Sequence, residues 1–337
     1  MLIKKWIAAA SAAVLTTVGA AQPLSGVVSA DTESTGTSAN SSYNYGEALQ
    51  KSMFFYQVQQ SGVLPDWNEV SWRADSMTND YVPGGWYDAG DHLKFTLTNA
   101  YSATMLGWGL LQYPDGVKDC GELTEYRNNL QFALDYLVKC DLGDKIVYMI
   151  GDGSFDHVWW GAAEMYMAKY ELMKGETERP YFTCNDSCIE AQMAAALCTG
   201  YLCFKDSDPD KAQEYLDHAT ACFERADKNR STFYDDLFFA ANWMYMATGE
   251  QKYLDLCKTD YIPNLGKESQ SDEYKFTWGH CWDDTQQGGT LLYAINTGDA
   301  TWKEQFRKHL EYWTTGYGGK QITHTPDGLA WLFQWGS

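Results

Sequence analysis

The chain is short of positive charge, of proline and of long apolar runs. Lys and Arg number 25 in 337 residues, against 45 Asp and Glu, for a formal net charge of -20. Phosphate contacts need clustered Lys and Arg, so a nucleic-acid partner is excluded, and an anionic membrane surface with it. An acidic exterior suits a soluble protein whose ligand is neutral or cationic. Sequence signatures of several enzyme classes are missing: there is no HExxH, no GxSxG nucleophile elbow and no P-loop. No Cys/His group has a zinc spacing. The nine cysteines are an odd number, so they cannot all pair internally. Most lie in apolar helical stretches, where a free thiol behaves as a small hydrophobe. Free thiols are therefore expected, with Cys184 and Cys188 the pair best placed to be an exception.

The apolar run Ile7–Gly19 is too short and too rich in Ala, Ser and Thr for a membrane span. It follows a basic start (Lys4, Lys5) and precedes Val28-Ser29-Ala30, so residues 1–30 read as a signal peptide and the protein as secreted and extracellular. Asp31–Ser42 is a Ser/Thr/Gly-rich polar leader, expected to be disordered. No low-complexity linker follows, and residues 43–337 read as one domain.

Helical periodicity dominates that domain. Apolar spacing predicts helices at about Tyr45–Gln59, Asn99–Tyr113, Glu122–Cys140, Cys188–Phe204, Asp210–Asp227, Asp235–Ala247, Gln251–Tyr261, Thr285–Asn296 and Thr301–Thr314, with another starting near Gly328. The prolines beyond Pro23 all fall between these segments. A weak repeat is visible: Trp243–Leu254 and Leu292–Trp302 each end a helix at Thr-Gly and carry an acid just after it. Gly suits a left-handed C-terminal cap. Short connections make the helices antiparallel neighbours, so the chain reads as all-α, a helical toroid or solenoid built from hairpins.

The sharpest motif is Gly84-Gly85-Trp86-Tyr87-Asp88-Ala89-Gly90-Asp91-His92. Two glycines permit a tight turn. Asp88 and Asp91, three apart, can face one way and strip a proton from a held water. The same residues also suit a helix start, with Asp91 as N-cap and Asp88 bracing the turn. Spacing leaves both readings open.

YNYGEALQKSMFFYQVQQSGVLP, WRADS and GGWYDAGDHLKF together resemble the opening of glycoside hydrolase family 9, the inverting cellulases. GDGSFDHVWWGAAE, FKDSDP, WDD and TPDGLAWLFQWGS continue the match in the same order. The resemblance covers nearly all of Tyr43–Ser337 and implies an (α/α)6 barrel of six helical hairpins, here partial at its C-terminal end. It implies a secreted endo-β-1,4-glucanase acting on cellulose or a related β-glucan, with Asp91 as general base and Asp88 holding the attacking water. An inverting pair stands roughly 6.5–9.5 Å apart to admit that water. His157, Trp160, Trp278 and Trp335 would bind glucose units, since flat rings stack on the C–H face of a pyranose. Ser231, Asp235, Asp236 and Asp283 would hold a structural calcium through hard oxygen ligands; the two aspartates at 235 and 236 otherwise simply favour a helix start.

Two departures accompany the match. Ala226–Arg230 runs almost directly into the calcium segment, where the family often carries a longer aromatic loop. The family's later His motif and general-acid Glu have no counterpart here, so this chain alone is expected to be inactive on carboxymethylcellulose, and any accessory carbohydrate-binding module or dockerin would lie beyond Ser337. Alternative readings are a catalytically inactive glycan-binding toroid, or a toroid glycosidase acting on another β-glucan such as xyloglucan.

Overall fold

The computed structural model of the protein describes residues 44–230 and 232–332. The signal-peptide and leader segments, Ser231 and Trp335 lie outside the described residues. Two kinds of helix alternate. Helices α2 (Thr96–Gln112), α7 (Ser187–Phe204), α9 (Tyr234–Thr248) and α11 (Gln286–Thr297) are buried on nearly every face. Helices α4 (Leu123–Cys140), α8 (Pro209–Lys228) and α12 (Ala300–Trp313) are polar outside; α8 buries a single stripe of Ala212, Tyr215, Ala219, Cys222, Phe223 and Ala226. That stripe recurs every three or four residues, as one helix face requires. The first set forms an inner row, α2 against α7, α7 against α9, and α9 against α11. With α1 (Tyr45–Val58) and the short α3 (Pro114–Asp119) and α5 (Gly153–Asp156) numbered in order, each inner helix is backed by an outer helix that comes after it: α4, α8, the shorter α10 (Lys252–Leu256, continued by a π-turn through Tyr261), and α12. This inner-and-outer hairpin order is the barrel arrangement expected above.

Small residues let the helices approach. A Cβ on Gly107 would lie 2.2 Å from Thr199 Oγ1, and one on Gly289 would lie 2.5 Å from the Phe238 ring. The Thr-Gly repeat ends its helices as expected: Gly249 and Gly298 adopt φ 73° and 71°, and their N–H groups bond the carbonyls of Tyr245 and Ala294. Only the second acid caps the next helix, Asp299 accepting from Thr301 N at 2.7 Å; Glu250 does not. All nine cysteines are free thiols, Cys184 and Cys188 included.

The periodicity missed or misplaced three features. Helix α6 (Ala163–Lys174) buries Ala163, Tyr166 and Tyr170 against Met77, Tyr87 and Phe155 in a satellite cluster. A small antiparallel sheet joins β1 (Lys94–Phe95), β2 (Ile146–Ile150) and β3 (Tyr181–Cys184). No helix starts near Gly328: that glycine, at φ 85°, turns a hairpin between β4 (Thr323–His324) and β5 (Ala330–Trp331). Its left-handed backbone cannot continue into a helix. Among the described residues no helix is long and apolar enough to cross a membrane.

Candidate active site

The hairpins place the inner-helix N-termini at one end of the barrel. The segments feeding them carry the residues singled out in sequence. Thr285 N donates to Asp235 Oδ2 at 2.9 Å, and Gln192 Nε2 donates to Asp236 Oδ1 at 2.8 Å and to the Trp282 carbonyl at 2.7 Å. These bonds tie the starts of α7, α9 and α11 together.

The Gly-rich loop lies before α2. Gly84 and Gly85 take φ 95° and 75°, and a Cβ on Gly85 would strike the Tyr136 ring at 2.7 Å. The turn therefore requires glycine. Asn99, in the first turn of α2, accepts from Trp86 N at 2.9 Å and donates to its carbonyl at 3.1 Å. Lys94, fully buried, donates to the carbonyls of Val82 (2.7 Å) and Gly84 (2.9 Å) and pairs with Asp80 (2.7 Å). Burial presses its ammonium down to about 8, against the pull of Asp80. Arg179, equally buried, grips both Asp80 oxygens and donates to the His92 carbonyl. Lys94, Asp80 and Arg179 thus fix both flanks of the loop from inside.

Asp91 does not cap α2. It turns toward His157, whose Nε2 lies 3.2 Å from Asp91 Oδ2, while Asp91 Oδ1 is buried without a hydrogen-bond partner. Asp88 does brace the helix start: its Oδ1 accepts from Thr98 Oγ1 at 2.9 Å. Burial lifts the Asp88 carboxyl above its ordinary range, the Thr98 hydrogen bond opposes this, and the nearby charge of Asp91 adds to it. Trp160 is 64% exposed and stacks near-parallel to His157 at 6.4 Å, with its ring 3.4 Å from where a Cβ on Gly90 would stand. Asp88, Asp91, His157 and Trp160 therefore form one group: paired carboxylates beside an exposed indole. Trp278 sits half-buried on the loop entering α11.

The calcium candidates come together in part. Asp235 and Asp236 are neighbours in the first turn of α9, and burial raises both carboxyls, that of Asp236 to about 8. A half-buried and a buried carboxyl side by side fit one side of a hard-cation site, where a bound ion would displace the proton that burial favours. Asp283 does not join them. It is exposed and accepts from the Cys281 thiol at 2.8 Å. The acid turned inward is Asp284, paired with Lys275 at 2.5 Å and felt electrostatically by Asp235. Among the described residues no three His, Cys, Asp or Glu side chains converge as a metal cage.

Sequence reasoning passed over Asp80, Lys94, Asn99, Asp156 and Arg179. Lys94 carried a signal, a lone cation between Leu93 and Phe95. Its partners lie too far along the chain to be read as such.

The model of glycosyl hydrolase family 9 matches residues 45–337. The chain belongs to glycosyl hydrolase family 9. It is 38% identical to endoglucanase B of Cellulomonas fimi over 327 residues, which cover 90% of this chain and 31% of that protein. It is 37% identical to endoglucanase A of Bacillus pumilus, covering 88% of this chain and 48% of that one. Among solved structures, endoglucanase CelQ from Clostridium thermocellum complexed with cellotetraose superposes with a TM-score of 0.79 at 45% identity, covering 86% of this chain and 49% of that chain. The cellulase Cel9M in complex with cellobiose matches at TM-score 0.77 and 29% identity, over 87% and 70% of the two chains. This family 9 chain thus spans half or less of the length of these two curated relatives, and its hairpins are part of the family's (α/α)6 barrel.

Proposed function

We propose that this chain belongs to the catalytic domain of a secreted endo-β-1,4-glucanase that hydrolyses cellulose or a related β-glucan with inversion. Asp91 acts as general base: its carboxylate takes the proton of a water as that water attacks the anomeric carbon. Asp88, held by Thr98, orients the same water. His157 meets Asp91 Oδ2 and so sets the orientation of that carboxylate. Trp160 offers a flat apolar face to a glucose ring, with Trp278 and Trp335 as further platforms. The basic, small-residue apolar pattern of residues 1–30 supports secretion. A calcium ion held by Asp235 and Asp236, with Ser231 as a further ligand, would keep the two carboxyls ionised at the start of α9.

The observation that carries this reading is the grouping of the Asp88 and Asp91 carboxylates with His157 beside an exposed indole. The relatives solved with cellotetraose and cellobiose support the substrate class. General-base catalysis contributes about 100- to 10,000-fold. In the full-length enzyme, Asp91→Ala should lower carboxymethylcellulose hydrolysis by that factor and leave the circular dichroism spectrum unchanged. Wild-type turnover in that variant would refute the assignment.

A further inference from the structure

We propose that Asp156 is a positioning residue, one that holds Asp91 and His157 against each other by clamping the backbone that carries both. The inference rests on the glucanase reading for its catalytic meaning, but its geometry is independent of it. Asp156 Oδ1 accepts from the backbone N–H of His92, the residue after Asp91, at 2.9 Å. Asp156 is itself followed by His157, whose Nε2 reaches Asp91 Oδ2 at 3.2 Å. The two dipeptides, Asp91-His92 and Asp156-His157, are therefore cross-bonded reciprocally. Each gives one carboxylate and one donor to the other. The second Asp156 oxygen accepts from Tyr166 Oη at 2.7 Å, and Tyr166 is anchored in the satellite cluster under the loop.

Placement argues for more than packing. The Asp156 side chain is fully buried, and a buried carboxylate is costly unless its hydrogen bonds are good. Here a donor reaches each oxygen, and the backbone donor belongs to the residue next to the proposed base. Asp91 lies on a loop and His157 at the end of a single helical turn (Gly153–Asp156), neither of which is rigid alone. Arg179 holds the His92 carbonyl to Asp80, but without the clamp only the 3.2 Å side-chain contact would hydrogen-bond the two dipeptides directly to each other. A displacement of about 1 Å at a reacting group can cost about 100-fold in rate.

The test labels the chain with 15N-histidine and follows the His157 Nε2 resonance, assigned with His157→Gln. Asp91→Asn should move it, because it replaces the carboxylate that Nε2 meets. Asp156→Ala should reproduce most of that movement with Asp91 intact. Asp156→Asn should reproduce little of it: its carbonyl still accepts from His92 N–H, and the Tyr166 hydroxyl can turn to accept from its amide. Tyr166→Phe, a variant that keeps the ring in its core, should give a partial movement should Asp156→Ala fail to fold. The proposal is overturned if neither Asp156→Ala nor Tyr166→Phe moves the resonance while Asp91→Asn does, or if Asp156→Asn moves it as far as Asp156→Ala. It is overturned equally if Asp91→Asn has no effect. In the full-length enzyme kcat on cellotetraose should fall about 100-fold in Asp156→Ala and recover in Asp156→Asn. A wild-type enzyme inert on every β-glucan would sink the glucanase reading and leave the resonance result to decide the clamp.

Discussion

Asp80→Asn is the most informative single perturbation of the scaffold. Asp80 is the carboxylate that Lys94 and Arg179 share, and all three side chains are fully buried. The amide keeps the shape and removes the charge, leaving two buried cations near each other. Breaking a buried pair from one side costs about 3–5 kcal/mol, a large share of a typical total of about 5–15 kcal/mol. The cost has a pH signature. Burial already holds Lys94 at about 8, and Asp80 is the leading influence keeping it from going lower. With that charge gone, Lys94 sheds its proton in the native state at a lower pH, while the unfolded chain still binds one. Where the unfolded state holds more protons, stability rises with pH. The variant should therefore begin to regain stability at a lower pH than wild type, whose native Lys94 sheds its proton only around pH 8. Urea unfolding followed by Trp fluorescence at pH 6, 7 and 8 (about three points suffice for the slope) measures both effects. The exposed Asp144→Asn serves as control, expected within about 0.5 kcal/mol of wild type. A loss below about 1 kcal/mol at pH 6, or a pH slope equal to wild type, would show that Asp80 is not the counter-ion of this cluster.

Gly289→Ala should destabilise by about 1–3 kcal/mol, because the new methyl meets the Phe238 ring at 2.5 Å and the Phe239 backbone nitrogen at 3.3 Å; an unchanged melting temperature would refute the close α9–α11 packing. Trp160→Ala should leave stability within about 0.5 kcal/mol of wild type, since the ring is 64% exposed. It should nonetheless weaken cellotetraose binding by isothermal titration calorimetry, and undiminished affinity would remove Trp160 from the substrate surface. Chelation with EDTA should lower the melting temperature and calcium should restore it, because a dication relieves the crowded charge of Asp235 and Asp236; metal-free protein with an unaltered melt would dismiss the calcium site.

The helices were legible because their signal is local. Apolar residues every three or four positions mark Pro209–Lys228 whatever surrounds it, and Thr-Gly marks its own helix end at Gly249 and Gly298 through backbone conformation alone. The Asp88–Asp91 loop was legible for the same reason, since its glycines are required by the turn they make. Helix α6 escaped notice because its outward face carries Met165 and Leu172, which blur the contrast between buried and exposed sides. Pairings between distant groups were out of reach. Arg179 and Asp80 are 99 residues apart, and Thr285 and Asp235 are 50 apart. Choosing between Asp283 and Asp284 as the inward acid depended on how the loop before α11 turns, and adjacent identical residues carry no sign of it. Sequence alone thus determined the repeating hairpin and the carboxylate loop, because both follow from short-range backbone preference and hydrophobic period. Only the tertiary structure decided which polar groups meet at the barrel's end, because buried charges take their partners from whatever the packed helices bring within hydrogen-bond distance.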